Sequence, residues 1–427
     1  MISWIKARRE LLIVQVVAAL ALVLLWAGLR DKWRENQNTD YFTYYAPVAH
    51  RLLAGGGFRE PGGAPAAFYP PGFSLFLAAA FGTADLTRIP EEIVLNAFIL
   101  LCTILCVTLV YAIARAVSSK PIALVSGLLW ATYPFFLWLE KQPNSETPFM
   151  VLFLAGVYAL LRVCRASRPS WGWAVLTGVF IGVASLVRPI AVVYVAVCCA
   201  GLFLMARQFT VRARMLLALC MVGANVFAIL PWELWVYVDD GERILLDRNA
   251  GWSVLDGMTF ALHPAASGVP LATSPDIRYL MMKAEQDHHL ADSVGAMVRF
   301  LASESRQHPL AVAHLLLFKA ERAWYGTNAR WLETWTARIQ MIYLAAAAGG
   351  LMLLGRRESA AQRGLAVFIV VTVIYFWVMA ILVLPLLRYL IPAMSLLMLP
   401  IAALAWSIAT RHFRWVMRLD GTARAAA

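Results

Sequence analysis

Long apolar stretches separated by short polar loops make up most of the chain. A helix crosses the hydrocarbon core of a bilayer when about 17–25 consecutive residues are apolar. By this criterion the sequence predicts an all-α polytopic membrane protein with about ten transmembrane helices. The predicted spans are 11–29, 93–114, 121–139, 148–164, 171–187, 189–206, 215–236, 337–354, 365–384 and 389–408.

A shorter amphipathic helix is predicted directly after the first span. Helix-capping residues precede it, so Asp40 should stand at or next to its start, and the glycines at 55–57 should end it. A carboxylate fixed on a helix in the membrane interface indicates surface chemistry. One apolar face follows from steps of four, three and four residues between Tyr41, Tyr45, Val48 and Leu52.

The distribution of charge fixes the expected topology. Segment 72–81 is too short to span comfortably, so it is interpreted as a re-entrant or interfacial helix. With ten spans and both termini in the cytoplasm, the inner segments hold 18 of the 37 lysines and arginines but only three of the 25 acidic residues. Every short inner loop is then basic, as the positive-inside rule requires. Counting 72–81 as a span would reverse the orientation of every later span and place basic residues such as Arg115 and Arg162 on the outer side.

Composition supports the membrane class and argues against other partners. Hydrophobic residues make up 61% of the chain and charged residues only 15%, against about 25% in soluble domains. The net charge of +12 is spread in small clusters between apolar segments, which positive-inside bias explains without nucleic acid. The expected surroundings are membrane lipids. The six cysteines lie in apolar segments or at their edges and indicate neither a disulfide framework nor a metal-ligand spacing.

Three regions are expected. Residues 1–236 would form an N-terminal transmembrane catalytic module, including a first outer loop at 30–92. Residues 237–336 form the one sizeable polar region and contain five of the seven histidines, so they are interpreted as a cap over the outer face. Residues 337–427 would supply the C-terminal transmembrane helices and a basic cytoplasmic tail.

Two acidic residues stand out on successive outer loops. Asp40 begins the amphipathic helix, and Glu146 ends the second outer loop just before a span. The alternatives are a simple N-cap for Asp40 and a favourable charge at a helix N-terminus for Glu146. Together the two residues are typical of a paired-carboxylate site for base catalysis or for a divalent metal, and the sequence leaves the need for a metal open.

Basic residues at the outer ends of spans complete the candidate site. Arg188 and Arg388 each stand at such an end, and the planar donor fork of arginine suits a phosphate. The alternative for each is an arginine that extends along the helix towards the interface. Lys141 and Lys319 are further candidates for the same task.

Several of these stretches resemble, in the right order, polyprenyl-phosphate-sugar-dependent glycosyltransferases of the GT-C fold. The branch concerned includes protein O-mannosyltransferases and the lipid A aminoarabinose transferase. The similar segments are Asp40-x-x-x-Tyr44 with Tyr69-Pro-Pro-Gly, Asn144-Ser-Glu-Thr-Pro-Phe, Gly178 to Pro189, Asn249-Ala-Gly-Trp, His308-Pro309 with Lys319, and Arg388-Tyr389-x-x-Pro392.

The resemblance implies a function and roles for residues. It makes Asp40 the catalytic base and Glu146 the second acid, in an inverting transfer from a polyprenyl-phosphate sugar donor to a lipid, glycan or protein acceptor. The aminoarabinose branch has a lysine beside the proline motif where this chain has Phe68-Tyr69, so the donor phosphate must find another cation. A polytopic transporter or lipid flippase, and a non-catalytic partner of a transferase, are the competing classes. The expected substrate-binding residues are Tyr44, Tyr69, Pro70, Lys141, Arg188, Lys319, Arg388 and Tyr389.

Overall fold

A computed structural model describes residues 2–30, 33, 36–263, 268, 271–356 and 359–425, with side chains from residue 9 to residue 410. Among the predicted inner-face charges, Arg357 and Glu358 lie outside the described residues. The side chains of Lys6, Arg8 and the basic tail lie outside the described side chains. The expected charge of the tail therefore stays a prediction.

Helices form nearly all of the regular structure in the described residues. Between the first two α-helices the chain makes one turn of π-helix, Tyr41–Tyr45, and short 3₁₀ turns occur at Pro189–Ala191, His288–Ala291 and Leu387–Leu390. The α-helices are α1 (Ile2–Gly28), α2 (Ala46–Leu53), α3 (Gly72–Thr87), α4 (Glu91–Val117), α5 (Lys120–Ala131), α6 (Pro134–Leu139), α7 (Glu146–Arg165), α8 (Trp171–Val187), α9 (Tyr194–Met205), α10 (Val211–Asp240), α11 (Ala250–Thr259), α12 (Pro275–Gln286), α13 (Val294–Gln307), α14 (Pro309–Arg322), α15 (Glu333–Gly355), α16 (Ala360–Leu382) and α17 (Ile391–Ala425).

The helices confirm a polytopic membrane protein. Within the described part of the chain, eight helices are long and apolar enough to cross a bilayer, and each coincides with a predicted span. The other two predicted spans, 171–187 and 189–206, correspond to shorter apolar helices. The spans that begin at Glu146 and Leu387 are the most enclosed, with 72% of their apolar windows buried. The centre of the bundle is therefore built on α7 and α17.

Segment 72–81 is longer than its hydropathy predicted. Helix α3 runs for 16 residues, from Gly72 to Thr87, because Gly82-Thr83-Ala84-Asp85 continues it beyond the apolar run. It packs on α2 and on the first half of α4, through contacts such as His50 with Phe81 and Phe76 with Phe98. Its predicted end at residue 81 is wrong by six residues, while its interfacial placement stays a prediction.

Close approach of α8 and α10 depends on glycine. A Cβ added at Gly178 would lie 2.1 Å from the carbonyl oxygen of Met221, and one at Gly182 would lie 2.8 Å from that of Asn225. Glycine four residues apart on one face lets two helix backbones touch, as is common in membrane bundles. The Gly178–Pro189 segment therefore joins α8 firmly to α10 before the chain reaches Arg188.

The polar region after α10 forms a cap with a small core of its own. Helix α10 continues to Asp240, four residues beyond the expected boundary at 236. Helices α11 to α14 surround a hydrophobic cluster that includes Leu280, Met281 and Leu315. The cap is tied to the bundle at the turn after α16, where Lys319 donates to the Val383 carbonyl oxygen over 3.0 Å.

Candidate functional site

Glu146 is held between two arginines at one end of the bundle. It is the first residue of α7, and only 7% of its side chain is exposed. Its Oε1 lies 2.7 Å from Nη1 of Arg188, which follows the end of α8, and 3.8 Å from Nε of Arg388, which precedes α17. Three chain segments far apart in sequence thus meet at one carboxylate. A favourable charge at the α7 N-terminus accounts for only part of this arrangement.

Tyr389 and Ser145 orient the two guanidinium groups. The ring of Tyr389 lies 5.3 Å from the Arg188 guanidinium carbon and 5.2 Å from that of Arg388, measured to the ring centroid. Nη1 of Arg188 also donates to Oγ of Ser145 over 2.8 Å. These contacts hold both arginines at the site, rather than extended along their helices towards the interface.

Arg388 retains donor capacity that Arg188 has largely used. Its side chain is 32% exposed against 14% for Arg188, and it stands farther from Glu146. Among the described residues, its buried Nε has no hydrogen-bond partner. A buried guanidinium N–H without an acceptor is costly, so it favours an anionic ligand that would accept from it.

Asp40, in the first loop, acts electrostatically on residues of the same group. It stands immediately before the π turn, and its side chain makes no capping hydrogen bond among the described residues. The carboxylate interacts with the Tyr69 hydroxyl and acts electrostatically on Tyr45 and Arg388, both of which also sense Glu146. Asp40 and Glu146 therefore act on the same neighbouring side chains, and their role as a catalytic pair stays a prediction.

The tyrosines between the two acids are kept in their neutral form. Burial, reinforced by the Asp40 carboxylate, raises the pKa of Tyr69 above its usual value, so the phenol remains a donor. Tyr45 stacks on Tyr69 with ring centroids 5.0 Å apart, and burial raises its pKa as well. The result is a neutral aromatic wall beside two carboxylates and two arginines.

The remaining predicted site residues divide into two groups. Tyr44 and Pro70 are buried beside the site, where the Tyr44 hydroxyl accepts a 3.3 Å hydrogen bond from the backbone N–H of Tyr69. They shape the first loop. Lys141 lines a separate cleft, and Lys319 is buried under the cap with its ammonium on the Val383 carbonyl. The structure therefore does not bring either lysine to the Glu146 cluster.

Three neighbours of the site were not singled out from the sequence. The sequence places Tyr45 only on an apolar face, and Ser145 only within the segment Asn144-Ser-Glu-Thr-Pro-Phe. Asp256 of α11 acts electrostatically on Tyr69 and senses Asp40, and burial raises its pKa. Nothing in the spacing around Asp256 indicated this position, because it depends on how the cap packs. Ser145 could have been inferred from its place directly before Glu146.

The two acids do not fit a divalent metal site. The Glu146 carboxylate already faces two guanidinium groups, whose charge would repel a dication there. Among the described residues, no group of three or more His, Cys, Asp or Glu side chains could hold a metal ion. A divalent metal requirement stays an untested alternative from the sequence.

A family comparison supports the identification of this region. Residues 70–235 match the family model of dolichyl-phosphate-mannose-protein mannosyltransferases. The match begins at Pro70 and includes Glu146 and Arg188, while Asp40 and Arg388 lie outside it. It covers less than half of the chain, so it establishes a similarity to that family. A comparison with curated protein sequences gives no match.

Solved structures establish the fold class. An oligosaccharyltransferase of Archaeoglobus fulgidus, in complex with Zn and sulfate, aligns with a TM-score of 0.54 and 17% identity over 96% of this chain and 51% of its own. AglB from the same organism, with an inhibitory peptide and a dolichol-phosphate, aligns with a TM-score of 0.52 and 14% identity over 98% of this chain and 52% of its own. The chain has the GT-C fold, as predicted, and spans about half the length of these proteins.

One bacterial structure is less similar. ArnT from Cupriavidus metallidurans, bound to undecaprenyl phosphate, gives a TM-score of 0.40 and 15% identity over 94% of this chain and 78% of its own. That score is too low to establish a shared fold.

Proposed function

We propose that the protein is an integral membrane glycosyltransferase that transfers a sugar from a polyprenyl-phosphate-linked donor to an acceptor hydroxyl. The observation that carries this proposal is the convergence of Glu146, Arg188 and Arg388 beside Asp40. A GT-C fold and the mannosyltransferase family match support the same class. The dolichol-phosphate in the AglB structure carries a phosphate group, which is the chemistry that two arginines would bind.

The proposed reaction is a single inverting displacement. Asp40 removes the proton of the acceptor hydroxyl as its oxygen forms a bond to the anomeric carbon. The bond between that carbon and the phosphate oxygen breaks, and its electron pair leaves on the polyprenyl phosphate. Arg388 stabilises the negative charge that develops on this leaving group, because it offers a buried N–H without an acceptor.

Glu146 and Arg188 have supporting roles in this scheme. Glu146 fixes both guanidinium groups at the end of the bundle, and Arg188 neutralises most of its charge at 2.7 Å. Without Arg188 the carboxylate would face the incoming phosphate with a single, more distant counter-charge. The pair therefore sets the position of Arg388 and limits repulsion of the donor.

We place the reaction at the outer face of the cytoplasmic membrane, with both termini in the cytoplasm. This placement rests on the excess of lysine and arginine in the segments at the opposite end of the helices, such as Arg115 and Arg162. Alkylation of a single cysteine introduced at 115–120 tests it. Labelling only after permeabilisation is expected, and labelling of intact cells would contradict the placement.

Transfer by an Asp40→Asn variant tests the chemistry. Loss of the base is expected to reduce turnover by about 10²–10⁴-fold while the protein stays folded. Asp85→Asn is the matched control, because Asp85 is an exposed carboxylate on α3. The readout is transfer of labelled sugar from a polyprenyl-phosphate donor in proteoliposomes. Full activity of the Asp40→Asn protein would remove Asp40 from the reaction.

A further inference from the structure

A second and much larger cleft opens on the other side of the Asp40 segment. It encloses about 1070 Å³ between the end of α1, the π turn, the start of α4 and the loop after α6. The cavity beside Glu146 and Arg388 encloses only about 10 Å³. Small-molecule sites usually measure about 300–1,000 Å³, so the larger cleft can hold more than one sugar ring.

The lining of this cleft differs in chemistry from the arginine cluster. Asn96 and Gln142 offer amides, Glu91 and Glu92 offer carboxylates, and Lys141 is the one basic residue that the described lining contains. Amides and carboxylates pair with hydroxyl groups, whereas two carboxylates against one ammonium disfavour a phosphate. The cleft therefore suits a neutral or cationic polyhydroxylated ligand.

Aromatic side chains give the cleft a surface on which a sugar ring can pack. Trp26 and Tyr41 contribute half-buried rings, and Phe42 contributes a ring that is 57% exposed. Apolar ring faces with a few polar groups around them are the composition expected of a site that orients a ligand of mixed polarity.

Two of the walls of the cleft belong to the segments that carry the acids. Tyr41 directly follows Asp40, and the 141–143 loop ends three residues before Glu146. Two hydrogen bonds join these walls, from the Gln37 backbone N–H to Oε1 of Gln142 (3.1 Å) and from Nδ2 of Asn38 to the Pro143 carbonyl oxygen (3.2 Å). The cleft is thus built as part of the same loop structure as the candidate site.

An inverting transfer fixes the direction from which the acceptor approaches. The acceptor oxygen must attack the anomeric carbon from the face opposite to the leaving phosphate, so an acceptor site on another side of the sugar than the phosphate site suits the reaction. The cleft and the cavity at Arg388 have no lining residue in common among the described residues. Resting on the function proposed above, we infer that this cleft binds the acceptor, and that the acceptor presents an uncharged or cationic glycan there.

Binding of three amphiphiles with the same alkyl chain tests the inference. The probes are decyl β-glucoside, decyl β-glucosaminide and decyl phosphate, titrated against the full-length protein in nanodiscs. The wild-type protein is expected to bind the glucoside and the glucosaminide in the cleft. Decyl phosphate is expected not to bind there. Asn96→Leu and Glu92→Arg should each weaken glucoside binding by about tenfold, since each removes a hydrogen bond to the ligand.

The matched control is Arg388→Gln, which alters the proposed donor site and should leave glucoside binding unchanged. Glu92 is exposed, so its substitution does not disturb the core. Undecaprenyl phosphate is titrated in parallel and should bind the two cleft variants as it binds the wild type. Equal glucoside affinity in the wild type and both cleft variants, or preferential binding of decyl phosphate in the cleft, would overturn the inference. Failure of undecaprenyl phosphate to bind any of these proteins would instead count against the proposed function.

Discussion

Substitution of the Glu146–Arg188 pair should reveal a strong energetic coupling. The two charged groups lie 2.7 Å apart with 7% and 14% of their side chains exposed. At an effective dielectric constant of about 20, such a pair attracts by about 6 kcal/mol, and Arg388 at 3.8 Å adds about 4 kcal/mol. Desolvation offsets part of these attractions in the folded protein, so the measurable quantity is the cost of leaving one charge unpaired.

The three variants of a double-mutant cycle have different expected stabilities. Glu146→Gln leaves Arg188 without its paired carboxylate and Arg388 with Asp40 alone, and should cost about 3–5 kcal/mol. Arg188→Met leaves Glu146 paired with Arg388 alone and should cost less. Arg188→Met made in the Glu146→Gln background removes one of two like charges and should cost little. The expected coupling energy is therefore about 2–4 kcal/mol.

Unfolding of the purified protein in mixed micelles, followed by near-ultraviolet circular dichroism, measures the cycle. The Arg59–Asp239 pair is the matched control, since its groups are 2.6 Å apart but 37% and 22% exposed. Its coupling should stay below about 1 kcal/mol, as for most surface pairs. A Glu146–Arg188 coupling no larger than that of the control would refute the view that this pair organises the site.

Two further substitutions test the fold around the site. Gly178→Ala places a Cβ 2.1 Å from the Met221 carbonyl oxygen and should destabilise the protein by about 1–3 kcal/mol. The control Gly172→Ala, on the same helix, meets nothing within 4 Å and should be neutral or stabilising in the same unfolding measurement. Burial lowers the pKa of Lys319 to about 7, below its value of 10.5 in an unfolded chain. Between these two pH values the unfolded state binds more protons than the folded state. The free energy of unfolding should therefore rise with pH from 7 to 10.5, by at most about 5 kcal/mol. Lys319→Met should remove that rise in unfolding free energy and leave transfer intact; a large loss of donor affinity would instead restore Lys319 to the phosphate site.

Hydropathy predicted the spans well because crossing a bilayer imposes a long apolar run on the sequence. It was less informative where packing decides the structure. The 3.6-residue period placed Tyr41, Tyr45 and Val48 on one face, but a single π turn at 41–45 buries Tyr44 as well. Such a turn has no signature in hydrophobic spacing, and it often marks a functional position.

In the candidate site, too, some residues could be predicted from the sequence and others depend on packing. Glu146, Arg188 and Arg388 could be named from sequence because each stands at the end of an apolar run, where a polar side chain indicates a specific role. Asp40 could be named because it begins the amphipathic helix after the first span. The electrostatic effect of Asp256 on the site could not be predicted from the sequence, because it depends on how the cap packs on the bundle. Lys319 resembled a phosphate ligand, but the cap packs it against the turn at Val383 instead.

The most direct test of the account is the affinity of the full-length protein for undecaprenyl phosphate, in the wild type and in Arg388→Gln. Arg278→Gln, at an exposed arginine of the cap, serves as the control. Loss of charge-assisted hydrogen bonds to the phosphate should weaken binding to Arg388→Gln by about 10–100-fold, with Arg278→Gln unchanged. Equal affinity in all three proteins would contradict the claim that the arginine cluster beside Asp40 receives the donor phosphate.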